Sequence, residues 1–169
     1  MSDSRPEEGS TGSIKPFAVE DVPWEEWSQG VRFGSRYRAL ARFAGGSHIG
    51  VSMEELPPGK QSVPLHWHTL EEEHMWFLEG RATLRLGDAR HPVNAGDYVC
   101  FPAGRQEGHA LVNDSDAPCR FLIIGERNPN DVCIYPDSKK VYVRSAGDVY
   151  PLSAKVDYWD GENEATPPA

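Results

Sequence analysis

Two histidines flank a tryptophan in His66-Trp67-His68, a carboxylate follows at Glu73, and a third histidine, His109, lies further down the chain. Side chains on a β-strand alternate faces, so His66 and His68 point the same way if the segment is extended. Three imidazoles and one carboxylate make a nitrogen-and-oxygen donor set for first-row transition metals. An octahedral ion held by four such groups keeps two positions open, and open positions serve ligand binding or chemistry. Fe, Mn, Zn and Ni all accept these donors, so the expected cofactor is a divalent transition metal rather than one particular element.

The elements that must position these residues read as strands. Alternation runs from Tyr37 to Phe43 and through Ile49, Val51 and Met53. It continues through Met75, Phe77, Ala82, Leu84 and Leu86 across Gly80. Tyr98 to Phe101, Ala110 to Val112, Phe121 to Ile124 and Val141 to Val143 complete the set. Many short strands separated by Gly and Pro predict an all-β sandwich or barrel. One short helical turn is expected near the N-terminus, over Asp21 to Trp27, with Asp21 as cap and Pro23 in the first turn. Parity puts Met75 and Phe77 inside with Glu73, and His74, Trp76 and Leu78 outside. An outward row of Trp67, Trp76 and Leu78 is too apolar for a solvated face, which predicts a homodimer contact or cover by the N-terminal arm.

With 169 residues the chain fits one domain, expected over 15–160 between disordered tails at 1–14 and 161–169. Acidic residues outnumber basic ones by 26 to 17, for a net charge of -9. This balance argues against nucleic acid and anionic membrane as partners, and leaves a small-molecule substrate or ligand. Cys100, Cys119 and Cys133 are an odd number without CxxC spacing, and no secretory or membrane-spanning segment is evident. Reduced thiols in a cytoplasmic protein are the expectation, with Cys100 read as a buried small hydrophobe.

Gly59, His66-x-His68, Glu73 and Gly80 closely resemble the first motif of the cupin superfamily. Gly96-Asp97, Pro102-x-Gly104, His109 and Asn113 resemble the second. The family usually has two residues between the glycine and the histidine of that second motif; here there are four, Arg105-Gln106-Glu107-Gly108. Beyond the motifs, segments such as Gly125-Glu126-Arg127-Asn128 and Tyr135-Pro136-Asp137-Ser138 are similar to a bacterial subgroup of small single-domain cupins. The resemblance implies a double-stranded β-helix (jelly-roll) barrel, a metal held by His66, His68, Glu73 and His109, and frequent dimerisation. It names no reaction, because this fold hosts dioxygenases, isomerases, epimerases, decarboxylases, lyases and non-catalytic binders.

Glu71 and Glu72 compete with Glu73 as the carboxylate ligand, and strand parity with Met75 and Phe77 favours Glu73. His48, His74 and His91 read as ordinary surface or core histidines. Because the full three-histidine, one-glutamate set is present, the leading expectation is an Fe- or Mn-dependent dioxygenase acting on a small organic substrate. The alternatives are a metal-dependent isomerase or epimerase of a sugar or oxo-acid, and a non-catalytic small-molecule binder. Tyr98, Arg105, Glu107 and Asp137 are the ionisable residues near the motifs that could move a proton, and none is singled out.

Overall fold

The computed structural model describes residues 14–162, so the tails expected to be disordered lie almost wholly outside the described residues. Strands dominate, in the order β1 (Glu25–Gln29), β2 (Phe33–Arg38), β3 (Ile49–Leu56), β4 (Trp67–His68), β5 (Glu73–Glu79), β6 (Arg81–Leu86) and β7 (Ala89–Asn94). They continue with β8 (Tyr98–Phe101), β9 (His109–Val112), β10 (Cys119–Glu126), β11 (Val132–Tyr135), β12 (Lys140–Val143) and β13 (Asp148–Pro151). A single α-helical turn, α1 (Leu40–Phe43), links β2 to β3. The protein is an all-β jelly-roll barrel with short helical elements.

One wall is a six-stranded antiparallel sheet ordered β1-β2-β3-β10-β5-β8. A three-stranded sheet, β7-β6-β9, and a four-stranded one, β13-β12-β11-β4, form the rest, joined through the His66–His109 bridge. Between the walls lies a core of Leu56, Met75, Phe77, Phe121 and Cys119 from the large sheet against Ala82, Leu84, Val93 and Leu111 from the small one. Gly80 turns β5 into β6 at φ +77°, and a Cβ there would come within 2.4 Å of the Pro118 carbonyl oxygen, so only glycine fits.

The core fills only part of the barrel, and strand composition decides where it stops. Residues sharing a row across β3, β10 and β5 are Glu54–Phe121–Phe77, then Ser52–Ile123–Met75, then Gly50–Gly125–Glu73. Side chains on β3 and β10 shrink along this series, from Glu54 to Gly50 and from Phe121 to Gly125. The packed interior therefore gives way to a cavity of about 510 Å³.

Local details depart from the sequence reading. The alternation from Tyr37 to Phe43 breaks at Arg38, and Leu40–Phe43 coils into α1. The helical turn lies at Val19–Asp21, a 3-10 turn upstream of its expected place, and Glu25–Gln29 pairs as an edge strand with β2 instead. That segment is held by β2: Arg38 donates to the carbonyls of Val19 (2.9 Å) and Glu20 (2.6 Å). Trp67 does not share a face with Trp76 and Leu78, because it pairs with Ile134 in the four-stranded sheet. Cys100 is exposed on the outer face, opposite His74, rather than buried. Among the described residues no helix is long and apolar enough to cross a membrane.

Candidate metal centre

The four residues singled out from the sequence meet inside the barrel. β4 supplies His68 and the residue before it is His66; β5 begins with Glu73 and β9 with His109. Glu73 Oε2 lies 3.0 Å from His109 Nε2, 3.4 Å from His68 Nε2 and 3.7 Å from His66 Nε2. The rings of His66 and His109 are 4.4 Å apart, and His109 stacks on Phe101 at 3.9 Å. The longer loop before His109 does not carry the residue away, because β9 pairs with β6 and the His66–His109 bridge fixes its register.

The distal nitrogens of two rings are tied down. His66 Nδ1 lies 3.0 Å from the Pro64 carbonyl oxygen, which can only accept, so this nitrogen carries the hydrogen. His68 Nδ1 lies 2.6 Å from Asp131 Oδ2. Hydrogen bonding at Nδ1 turns the Nε2 lone pairs toward the common point, the arrangement that orients histidines on metals. Asp131 is 1% exposed and accepts from the Leu70 amide at 3.0 Å. Beside it, buried Glu71 is clasped by Arg144 and by the Asn128 amide. Glu71 is thereby committed to a structural ion pair, and Glu72 lies on the outer face with His74, 3.0 Å away.

The electrostatics favour a cation at this point. Burial works against a charge on His68, but hydrogen bonds and charges from Glu73 and Asp131 outweigh it and raise the group to about 9. Burial likewise opposes ionisation of Glu73, yet its contacts with His109, His66 and His68 hold it far below the usual carboxylate range. Burial lowers His109, with the neighbouring imidazoles adding to the effect against Glu73. Three imidazoles around one ionised carboxylate, with a second carboxylate behind, fit the requirements of a divalent transition metal.

None of the four ionisable residues near the motifs lines this cavity. Tyr98 is on the outer face, 2.5 Å from His74 Nδ1. Asp137 pairs with Arg85, and Arg105 and Glu107 edge a smaller pocket on the other side of His68 and His109. Three groups not picked out in the sequence do matter: Asp131 behind His68, Glu54 in the cavity and Arg127 at its rim. Glu54 falls on the polar phase of the Ile49, Val51, Met53 alternation, so parity alone would have put it on the outer face. Asp131 and Arg127 are loop residues that carry no local signal.

A family model for the cupin domain matches residues 52–125, the stretch from β3 to β10 that holds all four converging residues. No curated protein sequence matches the chain. Among solved structures, the chain is similar to a sugar phosphate isomerase from the cupin superfamily of Silicibacter pomeroyi, with 27% identity and a TM-score of 0.74 over 86% of this chain and 98% of that one. A candidate sugar phosphate isomerase of Acidithiobacillus ferrooxidans is 26% identical with a TM-score of 0.77, over 82% of this chain and 91% of that one. A polyketide cyclase of Streptomyces resistomycificus is 26% identical with a TM-score of 0.58, over 68% and 80% respectively. The jelly-roll barrel, its inward histidines and glutamate, and the matched domain agree: residues 52–125 carry a cupin domain.

Proposed function

We propose that the protein is a metal-dependent isomerase of a small hydroxy-carbonyl compound bearing an anionic group, a phosphorylated sugar being the leading example. The observation that carries the metal part is the convergence of three Nε2 atoms on Glu73 Oε2, two of the rings being pinned at Nδ1. A bound divalent ion would polarise a carbonyl and make the neighbouring C–H more acidic. His66, His68, Glu73 and His109 would hold it, and the remaining cavity walls would hold the substrate.

Arg127 supports the anionic part of the reading. Its Nε lies 3.0 Å from where a Cβ on Gly50 would stand, so the guanidinium occupies the barrel rim only because residue 50 is glycine. Among the described residues no carboxylate pairs with it, whereas Arg144 is already taken by Glu71. A free guanidinium at the rim of such a cavity suits a phosphate or carboxylate. The names of the two relatives matched over most of their length point the same way. Dioxygenase chemistry rests on the donor set alone, and the isomerase reading adds Arg127 and these relatives.

The test uses protein purified without an affinity-metal step, assayed for metal content and then loaded separately with Mn, Fe, Zn or Ni. Incubation with aldose and ketose monophosphates in D₂O should place deuterium on the carbons next to the carbonyl and interconvert the pair. Chelation should abolish exchange and leave the far-ultraviolet circular dichroism unchanged, because the apolar core is separate from the site. Oxygen uptake by the Fe-loaded protein without exchange would establish the dioxygenase instead. Metal binding without either reaction would indicate a binding protein.

A further inference from the structure

We propose that Glu54 is the residue that moves the substrate's proton, a role that rests on the isomerase reading above. Of the four carboxylates lining the cavity, two others are committed and a third stands on the exposed rim. Glu73 faces the three histidines, Glu71 is clasped by Arg144, and Glu126 receives the Glu72 amide at 3.0 Å on the exposed rim. Glu54 keeps one oxygen free: Oε2 accepts from Ser35 at 3.3 Å, and Oε1 has no partner among the described residues.

The carboxylate is also held in place. Trp27 Nε1 donates to Ser35 Oγ at 3.0 Å, so the serine hydroxyl is left to donate to Glu54. This relay fixes the side chain from behind. Tyr37 stands opposite on β2, but its hydroxyl turns away to Glu25 at 3.0 Å. Phe121 is the neighbour on β10, and the negative charge of Glu73 reaches Glu54 from β5. Burial pushes the Glu54 carboxyl up, the Ser35 hydrogen bond opposes, Glu73 adds to the rise, and the group comes to about 7. A carboxyl in that range gives and takes protons with comparable ease at neutral pH.

The step balances without a co-reactant. Oε1 takes the proton from the hydroxyl-bearing carbon beside the carbonyl, and the C–H electron pair forms the C=C bond of an enediol as the carbonyl pair moves onto oxygen. Glu54 then returns the proton to the former carbonyl carbon while the hydroxyl proton passes between the two oxygens. The result is aldose–ketose interconversion with composition unchanged. The substrate class is therefore one with a C–H flanked by carbonyl and hydroxyl, and a compound lacking that unit offers Glu54 nothing to remove.

Glu54→Gln, Glu54→Asp and Ser35→Ala test the role, each checked for metal content and circular dichroism. On metal-loaded protein with the sugar monophosphates above, Gln should lower C–H exchange into D₂O by about 100-fold or more with metal content unchanged, and Asp should recover part of it. Carbon-13 NMR of protein labelled at its glutamate carboxyls should show one group titrating near neutral pH that is absent from Glu54→Gln. Ser35→Ala should move that titration upward, and the pH–rate profile with it. Exchange by Glu54→Gln at the wild-type rate would overturn the assignment and leave the isomerase reading standing. A Glu54 carboxyl that titrates in the ordinary glutamate range would overturn it even if exchange fell. Wild-type protein that exchanges none of the sugars would bring down the isomerase reading, and this role with it.

Discussion

Two of the four converging residues lean on groups that would never touch a metal, His66 on the Pro64 carbonyl and His68 on Asp131. His68 is the clearest case, because its Nδ1 is 2.6 Å from a carboxylate 63 positions away in sequence. Asp131→Asn keeps the shape and the bond from the Leu70 amide but removes the charge. It should weaken metal affinity by roughly 10- to 100-fold, the range found for partners that orient metal-bound histidines, with the fold retained. Competition against a chelator of known affinity would measure it, and unchanged affinity would contradict the role given to Asp131. Glu54 lends itself to a stability measurement. Its folded value of about 7 is raised from the ordinary 4.5, so folding favours the neutral form. That contribution is fully present below 4.5 and is lost as pH rises through 7. Glu54→Gln should therefore match wild type near pH 4.5 and exceed it at pH 8 by on the order of 3 kcal/mol, as read by denaturant unfolding. An equal difference at both pH values would show that ionisation is not the cause.

Strand composition, rather than any single residue, makes room for the site. The inward positions of β3 run Leu56, Glu54, Ser52, Gly50 and those of β10 run Phe121, Ile123, Gly125, so the wall thins toward the rim where Glu73 stands. A Cβ on Gly125 would lie 3.2 Å from Glu73 Cγ and 3.3 Å from its Oε1. Gly125→Ala should therefore push Glu73 off the common point and lower metal affinity by about tenfold or more, comparable to disturbing other ligand-orienting groups. The barrel should melt close to the wild-type temperature, since Gly125 lies outside the packed core. Metal content and thermal unfolding of the same preparation separate the two effects.

At the scale of the molecule, the outer face of the six-stranded sheet has an apolar row in register, Met53–Leu122–Trp76–Tyr98, with Trp76 48% and Tyr98 62% exposed. The described part of the N-terminal arm packs beside Arg38 at the end of β2 and leaves Trp76 open. Beside this row run Arg36, Glu55, Arg120 and Glu79, alternating in sign and paired at 2.7 to 3.1 Å. Such a band is complementary to itself under a two-fold rotation, which is what an isologous contact requires. We propose that two copies of the chain meet here. Light scattering should then give twice the chain mass for wild type and the single mass for Trp76→Glu, whereas a wild-type monomer would refute the contact.

What the sequence determined by itself is whatever depends on strand parity. His66 and His68 share a face, Glu73 faces inward with Met75 and Phe77, and His74 and Trp76 face out, because alternation is a property of the extended backbone. Parity also rejected Glu72, which lies on the outer face as its position requires. The family motifs added His109, whose place opposite His66 no local rule would supply. Parity failed where local geometry changed: the Tyr37–Phe43 alternation was cut by α1, and Trp67 was separated from Trp76 because the two strands enter different sheets. Only the tertiary structure decided the rest. Asp131 reaches His68, Arg144 reaches Glu71, and Glu54, with Ser35 and Trp27 behind it, faces the same cavity as Glu73. These groups come from strands and loops brought together by barrel closure. Their charges and hydrogen bonds act through space, over distances that sequence separation does not encode.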